Sequence, residues 1–600
     1  MKIFVAIIKK KNSGSVNNFL VDDLISSAVE SNFPVLEFSN KVKSRKWGGE
    51  SFGVWAHLYT NEGEWGEGDI YQEDKYIIRL GYSDTPVSEI ICKDVIRLDR
   101  IASCTGQFSY ISVAPDGVDF VTDAVGTFPA YTAEMDDFYV ISSRAGVVSD
   151  LCANLRKEGS KFDLLGCRDL ALQGHYLSRR TGFEGVQSSA VHEHIRVSAY
   201  GMTSSDWLKK CANPIDTRST SYQVVVDEVC NALVNSMRSF EGSAMHLSIT
   251  GGRDSRLLAA VLSNLPTIQV GTATSGVEEN PDVVLGKRIA GILGWPHKVV
   301  PPKIQELHAV VEDPVARVIR TLDFHDCSTS AWDECPDYGS YSDKPAMSGV
   351  GGEILRGGMT LIAKDKISPQ EASQILRNTM CGGGFFTEDI QKESIESARP
   401  FLMGAVYDPY AALDGYYHGQ RNHRWVCNRR NGARVRWNAV DPLLDNRVIT
   451  CALNVPPEDR WTERLVFDVI SRLCPALRDI PIEGERWRFE RHKAHDNESS
   501  EMKNSWELRS SMKSNQAVRR FDWRLMGDLS FRAKIVGLIM DGVNGRCEEL
   551  FDKKKLENYL KDIKYPTTVW HILTTVLFMN GVNKNIVRKQ KNDNLLIQIV

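Results

Sequence analysis

The stretch MHLSITGGRDSRLLAAV, residues 245–261, joins a strand pattern to a helix pattern through Thr250-Gly251-Gly252-Arg253-Asp254-Ser255. A turn that ends a strand and opens a helix presents unpaired backbone N–H groups and a partial positive charge. Glycines let such a backbone approach an anion closely. Thr250, Gly251 and Gly252 therefore read as a phosphate cradle. Asp254 could hold Mg²⁺ against phosphate oxygens, and Ser255 could donate a hydroxyl bond to the same group. No GK[ST] follows, so this is not a Walker loop, and it is not a dinucleotide fingerprint. Taken alone, the string reads equally as a tight βα turn with Asp254 as helix N-cap. Arg253 and Arg256 flank it, open either to a phosphate or substrate carboxylate or to surface salt bridges.

The elements around the turn repeat its logic. YQVVVDEVCNALVNSM has helical apolar spacing, AMHLSI is a short strand, and SRLLAAVLSNL carries Leu257, Leu258, Val261, Leu262 and Leu265 on one helix face. PTIQVGTA is a second strand and HKVVPP a third. PDVVLGKRIAGILGW, between them, is a helix with Leu285, Ile289, Ile292 and Leu293 on one side and Pro281 at its start. Strands alternating with helices imply a parallel sheet covered on both faces, with ligands beyond the strands' carboxyl ends.

The first 205 residues read differently. FVAII, YIIRLGY, FSYISVA, VDFVTDA and FYVISS are short strands between Gly, Asp and Pro punctuation, and APDG at 114–117 is a hairpin turn. The expected division is residues 1–205, a linker at 206–222, and a second domain at 223–600 that is mostly helical after 365. The net charge of −4 gives no general reason to expect nucleic acid or an acidic membrane as partner. Thirteen cysteines, scattered and without a CxxC pair, point to reduced thiols and a cytoplasmic protein. TVWHILTTVLFM at 568–579 reads as a buried helix. His325, Cys327 and Cys335 have no second pair at zinc spacing, and their segment is a candidate lining for an acceptor pocket. RWRFERHKAH at 486–495 interleaves basic and aromatic residues and reads as a solvated helix or lid face, with nucleic-acid or anionic-peptide binding as the alternative, and KNIVRKQK at 584–591 reads as a solvated tail segment.

At this point a resemblance appears. TGGRDS resembles the SGGxDS loop of the ATP-pyrophosphatase superfamily, with Thr250 for the first serine. IQVGTATSGVEENPDVVLGKRIAGILGWPH, SGVGGEILRGG at 348–358 and VDPLLDNRVITCALNVPP at 440–457 are similar, in order and spacing, to the asparagine synthetase branch. GQFSYISVAPDGVDFVTDAVGTFPAYTAEMDDFYVISS resembles the core of that family's glutaminase domain. The resemblance implies an α/β chain: an N-terminal α+β sandwich of the N-terminal-nucleophile, glutaminase-like type, then a doubly wound parallel sheet with a helical extension.

It also implies ATP and Mg²⁺. The metal would lie between Asp254 and Glu353, the triphosphate on residues 250–255 with Gly349 nearby. The adenine would lie between the backbone after Leu247 and the strand holding Val270 and Gly271. Arg464 falls where the family places a lysine that stabilises the adenylate's transition state, and reads otherwise as a solvated helix arginine. Two departures redirect the chemistry. The chain opens Met1-Lys2-Ile3 and its first cysteine is Cys92, so no glutaminase nucleophile is expected. Val350 stands where asparagine synthetases carry an acid thought to help deprotonate ammonia. The expected activity is an AMP-forming ligase or cyclase of the β-lactam synthetase or lasso peptide cyclase kind, joining a small-molecule or peptide carboxylate to an amine, with a homodimer allowed. An ammonia-dependent asparagine synthetase and a non-catalytic nucleotide-binding homologue are the alternatives.

Overall fold

In the first strand, Lys2–Lys9, six consecutive residues are buried, because both faces of its sheet are covered. Phe4, Ala6 and Ile8 pack in one core with Ile78, Leu80, Ile111, Val113 and Phe120 of a second sheet. Ile3, Val5 and Ile7 point the other way, into a layer containing Val21 and Ile25 of one helix and Val148 and Leu151 of another. The computed structural model thus has an antiparallel two-sheet sandwich in its first half. Each sheet has six strands. One is centred on Lys2–Lys9 between Phe138–Ser142 and Val54–Thr60. The other is built on Gly106–Ala114 between Gly117–Thr122 and Tyr76–Ser83. Ala114 pairs with Gly117, so Pro115 and Asp116 form the expected two-residue turn.

The structure describes residues 1–600 except 15–17, 63–68, 73, 93–94, 212–220, 302–307, 363–365, 484–485, 492–522, 582–593 and 599–600. Most of the expected linker lies outside the described residues, as does 584–591. Before that gap Trp207 is fully buried and its indole donates to the Thr122 carbonyl at 2.9 Å, so the start of the linker belongs to the sandwich.

The second half contains a five-stranded parallel sheet. By chain position its order is 3-2-1-4-5: His297–Val300, Gln269–Ser275, Ala244–Ser248, Ser342–Met347, Trp437–Val440. The order reverses between Ala244–Ser248 and Ser342–Met347, which opens a crevice at their carboxyl ends. Helices Tyr222–Arg238, Arg253–Leu262 and Arg464–Leu473 pack together over this sheet's core. In the helix Pro281–Leu293, Leu285 and Ile289 are buried but Ile292 is exposed: the buried stripe runs through Val283, Gly286 and Ala290 instead. Pro566–Met579 is buried against the helix Leu164–Gln173, and among the described residues no helix is long and apolar enough to cross a membrane.

The two halves are clipped together at 445–446. The Asp445 carboxylate accepts the Gly106 N–H at 2.6 Å, and Asn446 Oδ1 accepts that of Ala124 at 2.8 Å. The Asn446 amide donates to the carbonyls of Ile101 and Cys104 at 2.7 and 2.8 Å. All these atoms are buried.

Candidate functional site: the crevice at the strand reversal

The crevice is walled by residues 249–255, following the first parallel strand, and 348–356, following the fourth. Gly252 is the N-cap of the helix Arg253–Leu262, so Asp254 lies in its first turn and does not cap it. The Asp254 carboxylate instead crosses the crevice. Its Oδ2 pairs with Arg356 Nη2 at 2.9 Å, while Oδ1 is buried without a hydrogen-bond donor. That oxygen lies against Gly352, where a Cβ would fall 2.3 Å from it, so the glycine is required by close approach.

A chain of alternating charge continues from there. Arg356 Nη1 is 3.5 Å from Glu463 Oε1, and the same oxygen is 3.1 Å from Arg253 Nε. Glu463 holds a left-handed backbone, φ +64°, which a β-carbon disfavours. Its other oxygen accepts the Arg488 N–H at 3.1 Å. Arg253 also lies over the Trp487 ring and donates to the Arg486 carbonyl. The start of the basic stretch at 486 is therefore packed against the loop rather than solvated: Trp487 and Arg488 are buried.

The loop's own N–H groups are engaged by side chains. Thr250 N–H donates to Ser255 Oγ at 3.1 Å and Gly252 N–H to Thr250 Oγ1 at 3.2 Å. Gly251 N–H donates to the Asp282 carboxylate at 2.9 Å. Asp282 lies in the first turn of the helix Pro281–Leu293. Gly251 has no room for a side chain: a Cβ would fall 2.5 Å from Leu285 Cδ1. Arg256 is completely buried and donates to the carbonyls of Ile480 and Pro481, tying the base of the loop to that segment. It serves neither a phosphate nor a surface salt bridge.

Electrostatics follow the geometry. Asp254 keeps 21% side-chain exposure, yet burial pushes its carboxyl up to about 6; Arg356 opposes that rise and Glu353 adds to it. Burial works against the Arg356 charge, but Asp254, Glu353 and Glu463 together hold its guanidinium above the usual value. Burial, then the Glu353 charge, raises the Tyr417 phenol. Tyr417 opens a π-helical stretch, Tyr417–Cys427, an uncommon conformation that recurs at functional sites.

Among the expected site residues, Thr250, Gly251, Gly252, Asp254, Ser255, Gly349 and Glu353 are brought to one crevice. Gly349 packs on Asp254, where its Cβ would lie 3.1 Å from that of Asp254. Leu247 is buried beside them, in register with Met347. Val270 and Gly271 are not at this edge. They lie near the amino end of Gln269–Ser275, in register with Met245 and His246, and about 13 Å of strand separates Gly271 from Ser275. The carboxyl edge there is Thr274 and Ser275, and Thr274 Oγ1 donates to the Ile249 carbonyl. Arg464 pairs with Asp468 at 2.9 Å and lies over Phe489; the cation on Asp254 is Arg356. Arg356 stands in the quoted EILR but was not singled out by sequence, and neither was Glu463. Val350 is half-buried against the parallel sheet's core.

The donor set suits Mg²⁺ in type: hard carboxylate oxygens, one of them lacking a donor. Among the described residues no group of three or more His, Cys, Asp or Glu could share a metal ion, so phosphate and water would have to complete the shell.

No protein-family model matches this chain, and no curated protein does. Among solved structures it is similar to a glutamine phosphoribosylpyrophosphate amidotransferase from B. subtilis complexed with ADP and GMP, at 8% identity over 59% of this chain and 77% of that one, TM-score 0.22. A second is described as the allosteric regulatory enzyme of purine biosynthesis, at 7% identity over 66% and 78%, TM-score 0.23. Similarity this low decides nothing about activity. What the chain's own sheets define is an antiparallel sandwich joined to a parallel α/β domain with a charged crevice at its strand reversal.

Proposed function

We propose that this chain is an ATP-dependent ligase that forms an amide bond through an acyl-adenylate, in specialised metabolite or peptide biosynthesis and without hydrolysing glutamine. One observation carries the reading: Asp254 of the glycine turn and the glycine-rich segment ending in Glu353 meet across the reversal of a parallel sheet. The first half is then a glutaminase-like scaffold without the nucleophile, and the second a doubly wound adenylating domain.

In this reading the triphosphate lies along 250–255, with the loop N–H groups and Ser255 exchanging their internal partners for phosphate oxygens. Asp254 and Glu353 would hold Mg²⁺, which when bound draws charge from the phosphate oxygens. Arg356, already held between carboxylates, neutralises charge on the leaving pyrophosphate. A substrate carboxylate oxygen attacks the α-phosphorus in line, and the bond to the β-phosphate breaks. The amine nitrogen then attacks the acyl carbon, AMP leaves, and the amine's proton passes to a base. Val350 cannot be that base, so a substrate group or another side chain takes the proton.

A non-catalytic nucleotide-binding role is the second reading. It is favoured by Val350 and by the Asp282 carboxylate on the Gly251 N–H, which an incoming phosphate must displace. The two are separated by incubating the protein with candidate carboxylates and labelled pyrophosphate. The ligase exchanges label into ATP with its own acid, and Asp254→Ala lowers exchange about 100-fold. ATP binding without exchange for every acid supports the second reading, and exchange undiminished in Asp254→Ala overturns the site.

A further inference from the structure

A cavity of about 250 Å³ lies between the two halves, apart from the crevice. Among the described residues, the cations facing it are already answered by carboxylates. Lys2 is 2.9 Å from Asp69, Arg144 is 3.4 Å from Asp326, and Arg434 is 3.1 Å from Asp441. The Met1 amine is 2.6 Å from Glu62. Arg79 turns its guanidinium to the Ser83 carbonyl at 3.2 Å, on the strand face away from the space. A charged guest would lose its water here without gaining a counter-charge, a cost that an uncharged guest escapes.

Two polar groups on the wall remain open. Glu62 gives one carboxylate oxygen to the Met1 amine, and its other oxygen has no donor among the described residues. The half-buried Tyr341 phenol has no hydrogen-bond partner among them either. Burial, then the Glu62 charge, raises its pKa, so the phenol lies near Glu62 and keeps its proton. One group accepts and the other donates, which matches the N–H and C=O of a single amide. The rest of the wall offers ring faces: Phe128 from the first half and Trp437 from the second, both half-buried. Gly81 is what lets Phe128 close in, since a Cβ there would fall 2.4 Å from its ring. The volume fits one ring with a short arm.

We propose that this interdomain cavity is a second ligand site and that it takes a small uncharged aromatic amide. The amide N–H donates to Glu62, its carbonyl accepts from Tyr341, and the ring lies against Phe128 and Trp437. The site is independent of the nucleotide reading.

Benzamide is the probe, titrated by ligand-observed NMR against the full chain, with benzoate and L-glutamine in parallel. Saturable benzamide binding is expected, at least tenfold tighter than either charged control. Trp437→Leu should weaken it at least tenfold by removing a ring face. Tyr341→Phe should weaken it about fivefold by removing one hydrogen bond. Circular dichroism confirms that each variant folds. No saturable benzamide binding to the wild-type chain, equal binding of benzoate or L-glutamine, or undiminished binding by either folded variant would overturn the proposal.

Discussion

Asp254 and Arg356 are joined by a 2.9 Å ion pair that spans the crevice, from the first turn of one helix to the end of the short helix Gly352–Arg356. Arg356 is the one cation in direct contact with Asp254 among the described residues. Removing it leaves a largely buried carboxylate with the like charge of Glu353 opposed only by the weaker influence of Arg253. Arg356→Met should cost about 1–3 kcal/mol at neutral pH, below the range for a fully buried pair because both side chains keep some exposure. Urea denaturation measures it. A double-mutant cycle with Asp254→Asn should return a favourable coupling, and zero coupling would remove the pair from the account.

The pH dependence of Asp254 has a definite sign. Its carboxyl is raised from 3.8 to about 6 by burial, so the folded chain holds this proton more tightly than the unfolded chain. Ionisation therefore penalises the folded state, with no penalty below about pH 4 and the full penalty above about pH 6. In the proposed ligase, metal and nucleotide need the ionised form. Mg-ATP affinity should fall by about tenfold per pH unit below 6. Calorimetry at pH 5 and pH 7 checks this, and equal affinities would show that Asp254 does not titrate against the ligand.

Arg256 supports the loop from beneath. Its buried guanidinium donates to two carbonyls of the 480–481 segment, and burial lowers its pKa to about 9. Arg256→Met should cost about 3–5 kcal/mol by stranding those carbonyls. Thermal unfolding measures the loss, and a change under 1 kcal/mol would mean the segment is held otherwise.

The clip at 445–446 couples the halves. Asn446→Ala strands the Ala124 N–H and the carbonyls of Ile101 and Cys104, a cost of about 2–4 kcal/mol. Limited proteolysis should then cut between the halves faster than in the wild type. Unchanged cleavage with unchanged stability would contradict the clip.

Much of this architecture was legible in sequence where burial on both faces left continuous apolar strands, as in FVAII and FSYISVA. It was not legible where other forces set the strand. Lys43–Gly49 reads KSRKWGG because it is a sheet edge, where lysine and glycine discourage pairing. Ser342–Met347 contains Pro345 beside a register shift, which hides a parallel strand. At the site, glycine spacing marked both walls of the crevice. The cation between them was missed because Arg356 and Glu463 are 107 positions apart and meet only in the fold. Val270 and Gly271 lie four to five residues short of the edge because the strand's carboxyl end falls later, at Ser275, than the GTA pattern indicates.

The most direct test of the central claim is calorimetric titration of ATP with and without Mg²⁺ into the wild-type chain and Glu353→Gln. Saturable binding that requires Mg²⁺, weakened at least tenfold by Glu353→Gln, is the predicted result. Absent binding, or binding indifferent to both the metal and the substitution, would contradict it.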